Sequence, residues 1–156
     1  MMRMSNNFKL VVFDLDMTLW PFRLDKHMKS PFKKERGRVV DSIGQMVSLM
    51  DDTVQSLEYV KGKDYQIGIA SRIEDICGAY QLINLLEISH YFDYREIYPG
   101  CKMKHFVSLQ SKSNISFKDM IFFDDDMRNT RDVSRLGVHT VHVPNGISKE
   151  YIFTVL

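Results

Sequence analysis

The predicted fold depends on one stretch, Lys9-Leu-Val-Val-Phe-Asp-Leu-Asp-Met-Thr-Leu-Trp20. Residues 10–13 form a continuous apolar run that is rich in β-branched and aromatic side chains. Such a run is typical of a short strand that is buried on both faces, as in a parallel sheet. The run ends at Asp14 and Asp16, and Thr18 follows two positions later. We therefore expect polar groups at the carboxyl end of a buried strand.

Asp14 and Asp16 point to the same side of an extended chain, which places their carboxylates roughly 7 Å apart. A phosphoryl group fits between two acids at that separation. Carboxylates at the end of a buried strand are costly unless a metal, hydrogen bonds or a cation compensates for their charge. One alternative is that the acids and Thr18 only cap the following turn, where Asp and Thr are common. We favour a functional acid pair.

The composition indicates an ordinary globular protein. A length of 156 residues suits one domain, and we expect residues 1–156 to form it as a monomer. The net charge of +1 gives no reason to expect a nucleic acid partner. No apolar run approaches membrane-spanning length, and residues 1–7 lack the apolar core of a signal peptide, so we expect a cytoplasmic protein without membrane contact.

The two cysteines, Cys77 and Cys101, have neither the spacing of zinc ligands nor that of a disulfide framework. Cys77 lies within a helical pattern, so we expect it to be a small buried hydrophobic side chain. The cysteines therefore predict no chemistry of their own.

Strand and helix patterns alternate along the rest of the chain. Strands are predicted at residues 66–70, 94–97, 120–123 and 138–143, with the polar 94–97 segment near an edge. This alternation predicts an α/β fold, a single-domain doubly wound (Rossmann-like) and mostly parallel sheet with helices on both faces. The interval between Thr18 and Ser71 is too short for an independent cap, so we expect no large cap domain.

Residues 20–49 have little periodicity and are expected to form a flap or a small hairpin insertion. Between Arg23 and Arg38 this segment carries seven Lys and Arg side chains against two acids. A charge run is often a solvated loop. The alternative is a basic flap beside the active site that attracts an anionic substrate. Within the segment, residues 38–40 and 45–49 are predicted to pair as a hairpin.

Polar residues follow several predicted strands at their carboxyl ends, where open α/β sheets bind ligands. These residues are Asp14, Asp16, Ser71, Lys102, Asp124 and Asp125. Four acids in one place repel one another, so a divalent cation is their natural complement, and oxygen ligands favour Mg²⁺ over zinc or copper. One hydroxyl and one ammonium group suit the oxygens of a phosphate.

The stretch from Asp14 to Phe22, DLDMTLWPF, carries a family resemblance. Its first part resembles the DxDxT motif of the haloacid dehalogenase superfamily of phosphotransferases. The continuation to Phe22 is similar to the magnesium-dependent phosphatase-1 branch of that superfamily, as are residues 95–100 and 122–125. The resemblance extends from residue 9 to about residue 146, which is most of the chain.

The resemblance implies a magnesium-dependent phosphatase that hydrolyses phosphomonoesters. Asp14 would be the nucleophile and form an aspartyl phosphate. Asp16 would protonate the leaving oxygen and then activate the attacking water. Ser71 would bind the phosphoryl group, Arg72 would add a cationic donor, and Lys102 would offset negative charge.

Metal binding is implied for Asp14, for Asp125 and for the main-chain carbonyl of Asp16. Asp124 is expected beside them, either as a ligand or as a water-mediated partner. Leu15 and Trp20 are expected among the substrate-binding residues, although Trp20 could equally be part of the core.

Two other functions use similar parts. A non-catalytic phospho-switch of the receiver type combines acids, magnesium, a hydroxyl and a lysine, but in a different order along the chain. A phosphoprotein phosphatase of the carboxy-terminal-domain type shares DLDxTL but lacks WPF. The order of the motifs along the chain favours a phosphatase over the receiver-type switch. Its expected substrate is a phosphorylated small molecule or a phosphopeptide, with phosphotyrosine and phosphorylated sugar adducts as candidates, because an uncapped site admits a phosphate on a larger group.

Overall fold

The structure is a computed structural model that describes residues 8–156. In chain order, its strands and helices are β1 (Leu10–Phe13), α1 (Leu24–His27), β2 (Lys33–Glu35), β3 (Arg38–Val40), β4 (Met46–Val47), α2 (Thr53–Gly62), β5 (Gln66–Ser71), α3 (Ile76–Leu85), β6 (Tyr94–Ile97), α4 (Lys102–Ser113), β7 (Met120–Asp124), α5 (Met127–Ser134), β8 (His139–His142) and α6 (Lys149–Val155). Single turns of 3₁₀ helix at Ser89–Tyr91 and Phe117–Asp119 precede β6 and β7.

Five parallel strands form the central sheet in the order β6-β5-β1-β7-β8. The first strand lies in the middle, where Leu10 aligns with Gln66 of β5 and with Met120 of β7. The chain first builds the half of the sheet on the β5 side and then crosses to the β7 side. That reversal of winding opens a crevice at the carboxyl ends of the central strands, which is where such sheets bind ligands. The polar β6 lies at an edge, as predicted.

Both faces of the sheet are covered by helices. Along β1, Val11 and Phe13 pack into one apolar layer and Leu10 and Val12 into the other, as the period of two in a strand requires. Helices α2, α3 and α6 complete the first layer, and α4 and α5 complete the second. The predicted doubly wound α/β fold is therefore confirmed.

A small antiparallel sheet, β2-β3-β4, is inserted between β1 and α2. The predicted hairpin forms as β3 and β4, but β2 was missed because all three of its side chains are exposed and carry no apolar alternation. In the turn before β3, Arg36 and Gly37 both have positive φ, at 53° and 78°. Two consecutive residues of that kind form the hairpin turn that matches strand twist.

Helix α3 packs one face against the core and exposes the other. Ala79, Leu82 and Ile83 are buried, whereas Ile76 is partly exposed. Cys77 is exposed, so the prediction of a buried hydrophobic thiol was wrong. Cys77 shares the outer side of the helix with Ile76, because neighbouring residues in a helix are only about 100° apart. That position explains the error.

The prediction about a signal peptide concerns residues 1–7, which lie outside the described part of the chain. Within residues 8–156, no helix combines the length and the apolarity needed to cross a bilayer.

Candidate active site

Three carboxylates meet at the carboxyl ends of the two central strands. Asp14 directly follows β1, Asp124 ends β7, and Asp125 comes next. One oxygen of each lies within 4.8 Å of the others. Asp14 and Asp124 are buried, while Asp125 is partly exposed. The neighbouring strands β1 and β7 are parallel and in register, so they place their terminal acids side by side.

Lys102 bridges two of these acids. Its Nζ lies 2.8 Å from Asp14 Oδ1 and 2.6 Å from Asp124 Oδ2, and its side chain is buried. Lys102 is the first residue of α4, whose amino end lies over the same edge of the sheet. Burial alone disfavours the ammonium form, but the two carboxylates outweigh it and raise the pKa of Lys102. The lysine is therefore charged throughout the physiological range.

One ammonium group does not balance three acids. Burial raises the pKa of Asp14 to about 7, and burial together with the charge of Asp14 raises the pKa of Asp124 to about 6. Burial also raises the pKa of Asp125. Raised pKa values of this kind indicate carboxylates that lack sufficient positive charge around them. A donor set made only of oxygens is the one that Mg²⁺ prefers, so the cluster fits that ion.

The Thr18 hydroxyl connects the two sides of the cluster. It lies 3.1 Å from Asp14 Oδ2 and accepts a hydrogen bond of 3.2 Å from the main-chain N–H of Asp125. A tight turn brings it there, because the main-chain N–H groups of Thr18 and Leu19 both donate to the carbonyl of Leu15. Met17 has a φ of 59° within this turn. The turn therefore reverses the chain immediately after Asp14.

The same turn separates Asp16 from the cluster. Asp16 Oδ1 accepts hydrogen bonds from Trp20 Nε1 at 2.8 Å and from the Leu24 main-chain N–H at 3.1 Å. Burial raises the pKa of Asp16 above its usual value, even though both of these bonds favour the ionised form. The predicted pair therefore occupies two environments, with Asp14 inside the acid cluster and Asp16 on the wall of the adjoining pocket.

A pocket of about 240 Å³ opens above the cluster. Its lining includes predicted site residues from four parts of the chain together with residues that the sequence did not single out. These residues are Asp14, Asp16, Met17, Arg23, Asp25, Ser71, Arg72, Ile73, Lys102, Asp125, Asp126, Arg128 and Asn129.

Ser71 and Arg72 enter this pocket from the end of β5. Ser71 is buried, and its hydroxyl oxygen accepts a hydrogen bond of 3.2 Å from the Ile73 main-chain N–H. Arg72 is exposed, and its Nη1 lies 3.4 Å from Asn129 Oδ1. Because the Ser71 hydroxyl oxygen is the acceptor in its contact with Ile73, the hydroxyl proton is available to an acceptor in the pocket.

Two of the predicted substrate contacts, Trp20 and Leu15, have their side chains in the core. Trp20 is fully buried and stacks on Phe22 with ring centroids 5.4 Å apart, and its indole N–H is used by Asp16. The side chain of Leu15 is also fully buried. Neither side chain lines the pocket, because the turn after Asp14 directs both into the core. Trp20 therefore contacts Asp16 and does not line the pocket.

Comparison with known proteins agrees with this arrangement. The model of the Acid Phosphatase family matches residues 7–155. The chain belongs to this family. It is also 48% identical over 141 residues to human Magnesium-dependent phosphatase 1, covering 90% of this chain and 80% of that protein.

A further relative places the chain in the haloacid dehalogenase superfamily, and a solved structure shares its fold. A HAD-like hydrolase superfamily protein of Schizosaccharomyces pombe is 36% identical over 142 residues, which is 83% of this chain and 82% of that protein. A HAD family enzyme from Bacteroides thetaiotaomicron, solved in complex with magnesium and inorganic phosphate, has the same fold with a TM-score of 0.67 at 12% identity. The matched region covers 94% of this chain and 99% of the Bacteroides chain. The predicted superfamily and its magnesium-dependent phosphatase-1 branch are therefore confirmed.

Within this acid phosphatase family member, the sequence indicated Arg23 at the mouth of the pocket only as part of a basic segment, and it did not indicate Asp25, Arg128 or Asn129 there. Arg23 directly precedes α1 and Asp25 lies in its first turn, and Arg128 and Asn129 come from the first turn of α5. For Arg128 and Asn129, the available signal was their closeness in sequence to Asp125. A helix that starts directly after the acids at the end of β7 has its first turn at the same edge of the sheet. No comparable periodicity marked Arg23, because α1 has a single turn.

Proposed function

We propose that this chain is a magnesium-dependent phosphatase that hydrolyses phosphomonoesters through an aspartyl phosphate on Asp14. The observation that carries the proposal is the buried cluster in which Lys102 bridges Asp14 and Asp124 beside Asp125, open to one pocket. Family membership and the magnesium-dependent relative support the same activity.

Asp14 and Asp125 would hold the magnesium ion, together with the main-chain carbonyl of Asp16. Asp124 has both carboxylate oxygens engaged, Oδ2 by Lys102 and Oδ1 by the Asp126 main-chain N–H at 2.8 Å. We therefore assign Asp124 the role of positioning Lys102. When bound, the ion offsets the negative charge of the carboxylates and the phosphate, which favours the ionised form of Asp14.

Asp14 is oriented for attack by contacts on both of its oxygens. Lys102 holds Oδ1, and the Thr18 hydroxyl contacts Oδ2. A carboxylate oxygen of Asp14 forms a bond to phosphorus while the bond from phosphorus to the ester oxygen breaks. The Ser71 hydroxyl can donate to a phosphoryl oxygen in this pocket. A fixed nucleophile of this kind lowers the entropic part of the barrier.

Asp16 supplies the proton that the leaving oxygen needs. Burial raises its pKa, so a larger share of the carboxyl is protonated near neutral pH than for a free aspartate. Water then attacks phosphorus, the phosphorus bond to Asp14 breaks, and ionised Asp16 accepts the proton of that water. The two acids thus require different environments, which is the arrangement that acid and base roles need.

The test of the nucleophile is Asp14→Asn. The amide keeps the shape of the side chain but cannot form the acyl phosphate, so hydrolysis of p-nitrophenyl phosphate is expected to be lost. Wild-type protein quenched in acid during turnover should carry one phosphoryl group on Asp14 by peptide mass spectrometry. Addition of a chelator should abolish turnover, and Mg²⁺ should restore it.

The matched control for this test is Asp64→Asn. Asp64 is exposed in a turn with a φ of 65°, a conformation that Asn adopts readily. This variant should retain full activity. Normal turnover by the Asp14→Asn protein would refute the assignment, and a phosphorylated Asp14 without turnover would favour the phospho-switch instead.

We also propose that the substrates are aryl phosphates, phosphotyrosine peptides or phosphorylated sugar adducts, and that the protein acts as a monomer in the cytoplasm. The substrate proposal is supported by exposed side chains around the mouth of the pocket, including those of Arg23, Arg72 and Arg128. An open mouth admits a phosphate that is displayed on a larger group. Turnover across a panel of phosphorylated sugars, peptides and nucleotides tests it.

A further inference from the structure

Two arginines at the mouth of the pocket have no carboxylate partner in the part of the chain that the structure describes. Arg23 and Arg72 both line the pocket and are exposed, and neither forms an ion pair within residues 8–156. The other cations of the pocket are paired. Lys102 bridges two buried acids, and Arg128 lies 2.9 Å from Asp126 through Nη2 and 3.2 Å through Nε.

Asp25 joins the two segments of backbone that carry these arginines. Its Oδ2 accepts a hydrogen bond of 2.9 Å from the Glu74 main-chain N–H, and its Oδ1 accepts one of 3.0 Å from that of Asp75. These bonds fasten the loop that carries Arg23 to the loop that begins with Arg72. Because both oxygens of Asp25 bond to backbone groups, this acid is not directed at either guanidinium.

The loop that carries Arg23 also orients the catalytic acid. Asp16 Oδ1 accepts hydrogen bonds from Trp20 Nε1 and from the main-chain N–H of Leu24, on the two sides of Arg23 in sequence. A group bound at Arg23 therefore lies on the side of the pocket where the leaving oxygen is protonated. That is the side from which the alcohol part of a phosphate ester extends.

We propose that the preferred substrate carries a second anionic group, a carboxylate or a second phosphate, on its alcohol part, and that Arg23 and Arg72 bind this group. The inference rests on the proposed phosphatase function of the same pocket. Guanidinium groups form paired hydrogen bonds with carboxylates and phosphates, and two unpaired ones in one mouth suit a ligand with negative charge. The transferred phosphate itself is served by Lys102, Ser71 and the metal ligands, so the exposed Arg72, which the sequence led us to expect there, is assigned to the second anion instead.

The first experiment measures binding without turnover. Benzylphosphonates cannot be hydrolysed, and a carboxymethyl group in the meta or para position adds the second anion. In the presence of Mg²⁺, calorimetry should show tighter binding of the carboxymethyl compounds than of their neutral carbamoylmethyl analogues. Arg23→Gln should weaken binding of the acids by about three- to tenfold, the range between an exposed ion pair and a charged hydrogen bond, and leave the amides nearly unchanged.

The matched control is Arg36→Gln. This exposed arginine lies in the β2–β3 turn, does not line the pocket, and gives the same change in net charge. It should leave the preference for the acids unaltered. A phosphonomethyl compound in the same series shows whether a carboxylate or a second phosphate binds better.

The second experiment repeats the comparison with the corresponding phenyl phosphates as substrates, where the methylene group keeps the leaving groups alike. Values of kcat/KM should favour the acids, and Arg23→Gln should reduce that preference by the same factor as in binding. Equal binding of acids and amides to the wild type would overturn the inference, as would equal losses for both in Arg23→Gln. Absence of turnover with the binding preference intact would overturn only the phosphatase function.

Discussion

At the scale of single residues, two aspartates two positions apart lie in different environments because the chain turns between them. Asp14 remains in line with β1 and joins Lys102, whereas Asp16 is drawn away by Trp20 and Leu24. Within residues 8–156, the hydrogen bonds to the Asp16 carboxylate involve Oδ1. The other oxygen is therefore free to exchange a proton with a ligand in the pocket.

The role of Asp16 is tested by Asp16→Asn. The amide oxygen can still accept the two hydrogen bonds, so the loop should keep its shape while the acid is lost. We expect kcat/KM for an alkyl phosphate to fall by about 10² to 10⁴, the usual contribution of general acid catalysis. The loss should be much smaller for p-nitrophenyl phosphate, whose leaving group needs little protonation. Equal losses for the two substrates would exclude Asp16 as the acid.

Trp20→Phe separates a positioning role from a substrate contact. The phenyl ring can still stack on Phe22, but the hydrogen bond to Asp16 is lost. Since that bond favours the ionised carboxylate, its loss raises the pKa of Asp16 further. The alkaline limb of the pH profile of kcat/KM, where the acid loses its proton, should then move to higher pH. An unchanged profile with a raised KM would instead indicate direct contact with the substrate.

At the scale of elements, α4 supplies the site with a cation, Lys102, and with a clamp, the ring of His105, which holds two strand ends together. One turn after Lys102, the buried ring of His105 lies with Nε2 at 2.9 Å from the Ser71 carbonyl and 2.7 Å from the Tyr98 carbonyl. Burial lowers the pKa of His105, so the neutral ring donates its Nε2 proton to these two acceptors. The helix thereby ties together the ends of β5 and β6, including Ser71, whose hydroxyl we propose binds the phosphate.

His105→Phe tests this clamp. The ring remains next to Tyr98, with which His105 stacks at 4.2 Å, but two buried carbonyls lose a donor. We expect the free energy of unfolding to fall by about 1–3 kcal/mol. The KM for p-nitrophenyl phosphate should rise more than kcat falls, because Ser71 is displaced while Asp14 and Asp16 are not. The exposed His90→Phe is the control and should change neither quantity.

Sequence predicted the elements whose patterns are set by burial on two faces. The run before Asp14, the strand that leads to Ser71 and the strand before Asp124 all appear where the apolar patterns placed them. Parallel pairing then brings their polar ends together, so most of the site followed from the strand ends. The insertion did not follow in the same way, because β2 is held by pairing with β3 rather than by a buried face.

The place of Trp20 could not be predicted for a related reason. Whether an aromatic residue after a turn faces the pocket or the core depends on the direction in which the turn leaves the strand. That direction is set by the positive φ of Met17 and by the bonds to the Leu15 carbonyl. Such local geometry leaves no periodic signal, since Met rarely adopts positive φ.

At the scale of the whole molecule, the basic segment is divided between the pocket and a distant surface. Of its seven cations, Arg23 lines the pocket. The insertion is attached to α3, since the Phe32 main-chain N–H donates to Gln81 Oε1 and Lys34 lies 3.4 Å from Glu87. The cations of β2 and its turn can therefore act on the substrate only through the long-range field.

Reversal of Lys33, Lys34 and Arg36 to Glu tests that field. Each reversal removes two units of charge, so the net charge changes from +1 to −5. At low ionic strength kcat/KM should fall, because a negative field slows the approach of an anionic substrate. The kcat value should stay nearly constant, since none of the three residues lines the pocket.

The same variant should also show a weaker decline of kcat/KM with added salt than the wild type. Near physiological ionic strength, charges further apart than about 8 Å are largely screened, so the two proteins should then converge. Stopped-flow or steady-state measurements over a salt series provide the comparison, with Arg23→Gln beside it. One outcome would contradict this prediction: the triple variant leaves kcat/KM and its salt dependence unchanged, while Arg23→Gln changes both. In that case attraction of the substrate depends on the mouth of the pocket alone, and the β2–β3 hairpin is a solvated surface.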